Sequence, residues 1–421
     1  MKHLPGYFAL MLLMWACSSG KGNESANKKT NNVPDIPVME TGGKEMPNRW
    51  IDKTTGHEIV KLTRRPGNNR SFYFHNNPFL PTKDGKGDLM VFYGSTNEGN
   101  QIFTVNLQDY QIEQVTHHTG HISGEIVGPK LREVFYQSHD SVFASNVDTH
   151  KEHLVYVFPK NFQGHIASLN SDGNMLAGVW SGNEARKILK KHPTKSGFFN
   201  RLYEAHIPHT LFTIDIKTKK LTKIRHERNW LNHEQFSPKN PDLLLYAHEG
   251  PWQLVNRTWL MNVKTEKTRL MHKRKVNREI NGHEFWSPDG QTIWFDLQIP
   301  RSVTFYLAGV NIKTMKERRY GLTRDEWSIH YNESPDETLF AGDGGDSTQV
   351  ARAKNGMWIY LFKPNGDSLK AEKLVNMHYQ NYRGLEPNVH FSPDGKWIIF
   401  RANFEGKDES YAVRIAKSES A

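Results

Sequence analysis

The chain has 421 residues, 37% hydrophobic and 24% charged, a composition typical of a folded protein that excludes collagen, coiled coil and wholesale disorder. Basic side chains outnumber acidic ones by 55 to 45, which gives a formal net charge of +10, and there are 21 histidines. The single cysteine excludes an internal disulfide framework and a cysteine-rich metal site, so a bound metal would need histidine, carboxylate or amide ligands.

The N-terminal segment has the layout of a secretory signal. A basic start precedes an apolar run over residues 7–16 that is too short to remain as a membrane-spanning helix. Because the run stops at Cys17, residues 1–17 resemble a bacterial lipoprotein signal peptide in which this cysteine becomes the lipid-bearing first residue. An ordinary signal peptide with an incidental cysteine is the alternative. The polar residues 18–45 predict a flexible tether, so we expect an exported, membrane-anchored lipoprotein in the periplasm or on the cell surface.

From residue 46 onward the pattern is typical of a β protein. Short runs rich in Val, Ile, Phe, Tyr and Trp alternate with Gly, Asn, Asp and Pro turns, without convincing helical periodicity. A Ser-Pro-Asp-Gly turn followed by an apolar strand occurs at 287–290 and 392–395, with weaker copies at 171–173, 237–238 and 334–336. The repeat of roughly 45 to 60 residues matches one four-stranded propeller blade. We therefore predict an all-β, seven-bladed β-propeller over 46–421, with both ends of the chain paired in one blade.

The repeat also places histidines in register. His233, His283 and His330 each lie five residues before the proline of a turn, and the same offset in the last unit falls on Asn388, followed by His390. Equivalent positions of a propeller surround its axis, so these side chains are expected to converge at one end of the central channel. Such a group favours a metal site or an acid–base pocket. The alternative is a structural histidine, copied by the repeat, that hydrogen-bonds between blades.

Other functional classes find little support in the sequence. The chain has no Gly-x-Ser-x-Gly elbow, no phosphate-binding Gly-rich loop and no Gly-x-Gly-x-x-Gly motif. The basic run at 187–192 is interpreted as a solvated loop in an insertion, so we expect no nucleic acid partner. Outside a cell, positive charge suits a polyanionic polysaccharide equally well.

Six segments in consistent order resemble the oligogalacturonate lyases of polysaccharide lyase family 22. They are 230–238 (WLNHEQFSP), 248–252 (HEGPW), 256–259 (NRTW), 282–287 (GHEFWS), 327–332 (WSIHYN) and 341–346 (AGDGGD). The resemblance extends from about Trp50 to the C-terminus, whereas the Ser-Pro-Asp-Gly turns are shared with TolB-like propellers generally. It implies β-elimination of short α-1,4-linked galacturonide chains to 4,5-unsaturated products, with a divalent metal that is typically manganese.

The resemblance also implies residue roles. His283 matches the catalytic base, Arg257 the residue that stabilises negative charge, and His330 a metal ligand. Where the family has a glutamine and two histidines as its last metal ligands, this chain offers Glu386, Asn388 and His390, an oxygen-rich set that is also compatible with calcium or magnesium. The remaining candidates, as further ligands or as contacts to substrate carboxylates and hydroxyls, are His75, His233, His248 and Glu284.

Two hypotheses remain open at this level. One is an exported lyase acting on uronic-acid oligosaccharides, most simply oligogalacturonides but also another uronic-acid polysaccharide. The other is a non-catalytic TolB-like propeller that binds a protein or a glycan at the channel mouth. The lyase is favoured, since a scaffold gives no reason for a base, an arginine and a histidine metal ligand in successive units.

Overall fold

The computed structural model describes residues 36–418. The predicted signal peptide, the predicted lipidation site Cys17 and the predicted tether as far as residue 35 lie outside the described residues. Within 36–418, no helix is long and apolar enough to cross a membrane.

The folded domain begins before the predicted end of the tether. Its first strands are β1 (Val38–Met39), β2 (Arg49–Asp52) and β3 (His57–Lys61). Between β1 and β2, the buried Thr41 donates a 2.7 Å hydrogen bond to Asp52 and accepts one from the indole of Trp50. The tether prediction is therefore wrong for residues 36–45. Side-chain hydrogen bonds, which leave no hydrophobic pattern in the sequence, attach this segment to the sheet.

Antiparallel sheets follow in chain order. The first contains β4 (Asn69–Ser71), β5 (Phe79–Pro81), β6 (Asp88–Thr96), β7 (Gly99–Asn106) and β8 (Ile112–Gln114), in the order β4-β6-β7-β8 with β5 also paired to β6. The second contains β9 (Ser123–Gly128), β10 (Glu133–Ser138), β11 (Ser141–Asn146) and β12 (Glu152–Val157), each paired with the next.

The third sheet carries a helical insertion. Its strands are β13 (His165–Leu169), β14 (Met175–Ser181), β15 (His209–Asp215) and β16 (Leu221–Glu227), and α1 (Asn183–Lys191) and α2 (Lys195–Glu204) lie between β14 and β15. The basic run at 187–192, interpreted from the sequence as a loop, is therefore largely helical. The fourth sheet contains β17 (Trp230–Phe236), β18 (Leu243–Glu249), β19 (Thr258–Asn262) and β20 (Thr268–Leu270).

The last two sheets complete the domain. Eight strands form one of them: β21 (Ile280–Trp286), β22 (Thr292–Gln298), β23 (Phe305–Asn311), β24 (Glu317–Leu322), β25 (Tyr331–Glu333), β26 (Phe340–Gly342), β27 (Trp358–Asn365) and β28 (Ser368–Asn376). The other joins β1–β3 to β29 (His390–Phe391), β30 (Trp397–Ala402) and β31 (Glu409–Lys417). Because β3 pairs antiparallel with β31, the two ends of the described chain share one sheet, as predicted.

The Ser-Pro-Asp-Gly segments form the tight turns that the sequence predicts. In the copy at 287–290, the Ser287 hydroxyl donates a 2.6 Å hydrogen bond to Asp289, and Gly290 has a positive φ of 67° that favours glycine. Gly395 has the same conformation, with φ of 69°. The prolines of four such turns line one cavity of about 600 Å³, so the turns from different sheets surround a common centre. These prolines are Pro238, Pro288, Pro335 and Pro393.

Candidate active site

Two of the registered histidines lie at β-bulges. The pairing register shifts between Asn232 and Gln235 in β17, and at the equivalent place in β21, next to His283. His233 and His283 have φ of 58° and 50°, a left-handed conformation that is uncommon for residues other than glycine, and Asn388 shares it with φ of 52°. A bulge redirects the side chain of its extra residue. The repeat therefore copies a backbone conformation together with the residue type.

An aromatic cluster brings four predicted histidines together. Tyr73 is its centre: its ring stacks on His233 with centroids 6.3 Å apart and lies 5.0 Å edge-on from both His75 and His330. His283 joins through His330, with ring centroids 4.9 Å apart and planes at 82°. We call these five residues the histidine cluster. Sequence reasoning missed Tyr73, whose only signal was its place two residues before His75.

His283 is held by a buried carboxylate. Its Nδ1 lies 2.8 Å from Oδ1 of Asp296 on β22, so Nδ1 carries the proton in the neutral ring and Nε2 keeps its lone pair. Burial would lower the pKa of His283, but the hydrogen bond to Asp296 and its charge outweigh burial and raise it. Asp296 is only 2% exposed, and its link to His283 was not foreseen from the sequence. This arrangement orients a base and stabilises the imidazolium that forms when the base accepts a proton.

His330 has a similar support. Asp343 accepts a 2.7 Å hydrogen bond from Nδ1 of His330 and a 2.8 Å bond from its backbone N–H. Nε2 therefore faces the hydroxyl of Tyr73, at 3.2 Å, and Oε2 of Glu386, at 3.7 Å. Burial holds the pKa of His330 well below its usual range, so the neutral ring predominates. A neutral imidazole oriented through Nδ1 by a carboxylate is the usual state of a histidine metal ligand.

Arg257 lies between two buried carboxylates. Its Nη1 donates a 2.6 Å bond to Oε1 of Glu249, and its Nε lies 2.9 Å from Oε1 of Glu284. Glu249 also approaches Nε2 of His233 at 3.2 Å, which links Arg257 to the histidine cluster. Burial would raise the pKa of Glu249, but the charge of Arg257 and the bond with His233 outweigh burial and lower it. Arg257 also lies beside the strand that carries His283: a Cβ on the preceding residue, Gly282, would lie 4.0 Å from Nε of Arg257.

Two predicted substrate contacts belong to other interactions. Glu284 is only 2% exposed, because its carboxylate is used by Arg257 and by the hydroxyl of Thr258. His248 lies 3.0 Å from Glu227 and stacks on Trp259 with ring centroids 4.9 Å apart. Successive side chains of a strand point to opposite faces of the sheet. Because Glu249 faces Arg257, the preceding residue, His248, points away from Arg257. The structure therefore gives Glu284 and His248 partners within the protein and does not support either as a direct substrate contact.

The last group of predicted ligands is only partly assembled. Asn388 is fully buried, and its amide is occupied by main-chain groups: Oδ1 accepts from the N–H of Phe74 at 3.0 Å, and Nδ2 donates to the carbonyl of Glu386 at 3.0 Å. Nε2 of His390 lies 3.1 Å from the carbonyl oxygen of Asn76. Within 36–418, no three His, Cys, Asp or Glu side chains are grouped closely enough to hold a metal. The structure brings His330 and the carboxylate of Glu386 together, but it does not bring the side chains of Asn388 and His390 to them.

His75 and His390 share the wall of the central cavity. Both line the volume of about 600 Å³ bounded by the turns. Nδ1 of each ring is buried and has no hydrogen-bond partner within the part of the chain that the structure describes. Burial, reinforced by the imidazoles of His233, His330 and His390, holds the pKa of His75 well below its usual range, and burial lowers the pKa of His390 to about 4. Both rings are therefore neutral and can act as nitrogen ligands.

These features define a β-sheet repeat protein whose centre holds a carboxylate-oriented base, a buried arginine and a neutral histidine beside a carboxylate. Comparison with known proteins then gives the family. The sequence model of the oligogalacturonate lyases matches residues 42–419, so the chain belongs to the oligogalacturonate lyase family.

The relatives agree with this assignment. The oligogalacturonate lyase of Dickeya dadantii is 26% identical over 388 residues, covering 88% of this chain and 96% of that protein. The oligogalacturonide lyase of Pectobacterium atrosepticum is 24% identical over the same length and coverage. Among solved structures, an oligogalacturonate lyase in complex with manganese has a TM-score of 0.74 at 23% identity, covering 91% of this chain and 99% of that one. This structural likeness establishes the shared fold.

Proposed function

We propose that His283 is the base in the reaction of this family, the β-elimination of α-1,4-linked galacturonide oligosaccharides in pectin breakdown. The observation that carries the proposal is the hydrogen bond between Nδ1 of His283 and Asp296, 2.8 Å long, beside the buried Arg257. The C5 proton of a galacturonate lies next to a carboxylate and is weakly acidic. Its removal needs a neutral base together with positive charge near the substrate carboxylate.

The residues divide this chemistry between them. Nε2 of His283 takes the C5 proton, and Asp296 stabilises the imidazolium. The electron pair of the broken C–H bond forms the C4–C5 double bond while the C4–O4 bond breaks, and the leaving oxygen takes a proton from water. Arg257, fixed by Glu249 and Glu284, offsets the charge that develops on the substrate carboxylate.

We propose that a divalent metal binds beside His330. A cation held by Nε2 of His330 and by Glu386, which lie 3.7 Å apart, would supply positive charge for the substrate carboxylate. The support of His330 by Asp343 suits this role. We propose manganese, by analogy with the related manganese complex, while the carboxylate donor also accommodates calcium or magnesium. Asn388 and His390 remain proposals as further ligands.

Replacing His330 by alanine is expected to abolish most of the bound metal, since it removes the imidazole of the pair. The measurement is the manganese content of protein purified from manganese-supplemented medium, determined by elemental mass spectrometry. His248→Ala is the matched control, because that ring pairs with Glu227, and it should keep the wild-type metal content. Equal metal content in the two variants would contradict the role of His330.

We also propose that the sheets are the seven blades of a propeller. The eight-stranded sheet is joined through one residue pair, Gly321 with Ser368 in parallel, so it divides naturally into two four-stranded units. Together with the five other sheets, these two units make seven. Full closure of this kind removes exposed strand edges.

The protein is further proposed to be an exported lipoprotein. The apolar run at 7–16 that stops at Cys17 supports this localisation. Cys17→Ala should release the protein from the membrane fraction into the soluble fraction in a bacterial host that processes lipoproteins. Membrane association that survives the substitution would exclude Cys17 as the anchor.

The activity has a direct test. Incubation with digalacturonate and manganese should raise the ultraviolet absorbance as the 4,5-unsaturated product forms. Activity only on a different uronic-acid oligosaccharide would keep the mechanism and change the substrate. No product with any uronide or divalent metal would favour a non-catalytic propeller that binds a protein or a glycan.

A further inference from the structure

Four loops lie at the end of the sheets opposite to the Ser-Pro-Asp-Gly turns. They are 250–257 between β18 and β19, 271–279 between β20 and β21, 299–304 between β22 and β23, and 343–357 between β26 and β27. Strands β21 and β22, which carry His283 and Asp296, are antiparallel and joined by the turn that follows Trp286. The loops before β21 and after β22 therefore meet at the other end of this pair. We call these four loops the loop face.

The loop face begins beside the proposed base. The ring of Trp252, in the first loop, lies 5.8 Å from the ring of His283. Nε1 of Trp252 is buried and has no acceptor among residues 36–418, so a ligand hydroxyl or carboxylate beside His283 would satisfy it. The carbonyl of Gln253 accepts a hydrogen bond from Nη1 of Arg274, whose backbone N–H donates a 3.1 Å bond to Asn256. These bonds attach the first loop to the second.

Three arginines come together in the remaining loops. The backbone N–H of Arg301 donates a 2.7 Å hydrogen bond to the carbonyl of Arg278, which joins the second loop to the third. The hydroxyl of Ser302 donates a 2.6 Å bond to the carbonyl of Val350, two residues before Arg352, which joins the third loop to the fourth. We call Arg278, Arg301 and Arg352 the arginine cluster.

The arginine cluster has no partner in the described part of the chain. Within residues 36–418, none of its three guanidinium groups forms an ion pair or a hydrogen bond. Arg278 and Arg352 are exposed, and Arg301 is half-buried. Burial lowers the pKa of Arg301, and the charges of Arg278 and Arg352 lower it further. The loops therefore hold three like charges together without compensating them.

The carboxylates of the loop face are occupied by other groups. The four loops contain eight lysines and arginines but three acidic residues. Glu279 lies 2.7 Å from Nε2 of His272. Asp343 belongs to the site already described, and Asp346 accepts two hydrogen bonds from Thr348 within its own turn. Positive charge therefore dominates the loop face, and such a field attracts an anionic ligand.

An oligogalacturonide suits this surface. Each of its sugars carries a carboxylate, which a guanidinium binds through two parallel hydrogen bonds. Val276 and Val303, 45% and 60% exposed, lie two residues from Arg278 and Arg301 and offer apolar surface to the C–H faces of sugar rings. His283 follows Arg278 by five residues, about 17 Å along an extended strand. The cluster is therefore within reach of a ligand several sugars long that starts at the site.

We propose that the arginine cluster is a second binding surface for long galacturonide chains, and that it binds the carboxylates of sugars beyond the one that reacts at His283. The inference rests on the proposed function, because both take the same ligand. It makes affinity rise with chain length, and fall with added salt and with esterification of the distal carboxylates. Digalacturonate is too short to use the cluster and is held by the site alone.

The test measures KM and kcat on digalacturonate and hexagalacturonate for wild type and for a triple variant that combines Arg278→Gln, Arg301→Gln and Arg352→Gln. The loss of three exposed charge interactions should raise KM for hexagalacturonate about tenfold, with kcat within about twofold. KM for digalacturonate should stay within about twofold of wild type. Added salt should raise KM for hexagalacturonate more in wild type than in the variant.

The matched control removes three positive charges from the opposite end of the sheets. It combines Lys313→Gln, Lys363→Gln and Lys370→Gln, at exposed side chains in and near the turns that follow β23 and β27. This lysine variant has the same net charge as the arginine variant and should match wild type on both substrates. If the arginine variant does not fold, Arg352→Gln alone replaces it, and KM for hexagalacturonate should then rise about twofold to threefold.

The outcomes separate this surface from the activity. Equal KM values of the arginine and lysine variants on hexagalacturonate would overturn the second surface and leave the lyase intact. An equal rise in KM on both substrates would also overturn it, since the effect would not depend on chain length. If wild type shows no turnover, the proposed function fails, and calorimetric titration with hexagalacturonate then decides the surface alone. Weaker binding by the arginine variant supports it, whereas unchanged binding, or inorganic sulfate binding wild type as tightly as hexagalacturonate, overturns it.

Discussion

Replacing His283 by alanine is expected to lower kcat on oligogalacturonate by about two to four orders of magnitude, the usual contribution of a general base. The reason is that Asp296 fixes Nδ1 of the His283 ring, which leaves Nε2 free to accept the C5 proton. The measurement is the rate of ultraviolet absorbance increase under saturating substrate and manganese. Stability should fall as well, because the variant leaves the buried carboxylate of Asp296 without its hydrogen-bond partner, so the rate is compared at a temperature at which both proteins are folded.

Two variants sharpen this test. Asp296→Asn keeps the shape of the carboxylate but removes the charge that orients and stabilises the imidazole, so kcat should fall by at least about tenfold. His248→Ala removes a histidine that the sequence pattern also placed in the site but that pairs with Glu227, and it should retain nearly wild-type kcat. A His283→Ala variant within about tenfold of wild type would assign the base to another residue.

Arg257→Ala should lose both activity and stability. Its guanidinium is 2% exposed and pairs with Glu249 and Glu284, so its removal leaves two buried carboxylates without their partner. Breaking a buried ion pair lowers the free energy of unfolding by about 3–5 kcal/mol. The measurements are the denaturant midpoint and kcat/KM, and kcat/KM should fall by at least about a hundredfold.

A double variant separates the two effects. Arg257→Met with Glu284→Gln fills the volume and removes one stranded charge, so it should be more stable than Arg257→Ala. It should remain as inactive as the single variant, because the guanidinium that offsets the charge on the substrate carboxylate is still absent. Recovery of activity along with stability would mean that Arg257 only maintains the fold.

The spacing of the histidines in the sequence correctly predicted which of them lie close together. A five-residue offset before a turn proline identified His233, His283 and His330, and the structure brings all three into the histidine cluster. The reason is local: a bulge and a tight turn are both encoded within a few residues, so a repeat copies them together. His248 falls outside that register, and the alternation of side chains along β18 turns it away from the site.

The partners of these histidines were less predictable. The helical insertion between β14 and β15 was missed because α1 and α2 have only 9 and 10 residues, too few to show a sustained helical period in the sequence. Asp296 in β22 and Asp343 just after β26 carry no sequence signal that distinguishes them from other carboxylates, because their histidine partners become apparent only when the strands are paired. Glu284 lies next to the predicted base in the sequence, yet it is turned inward to Arg257.

The sequence alone determined the β architecture, the turn chemistry, the register of the histidines and the family resemblance, because each of these depends on residues close together in the chain. Only the tertiary structure decided which carboxylate supports which imidazole and where the helices α1 and α2 pack. Tyr73 meets His330 across 257 positions, a contact that depends on the sheets closing around one centre. No local sequence pattern encodes this contact, because it depends on how many side chains from separate sheets pack together.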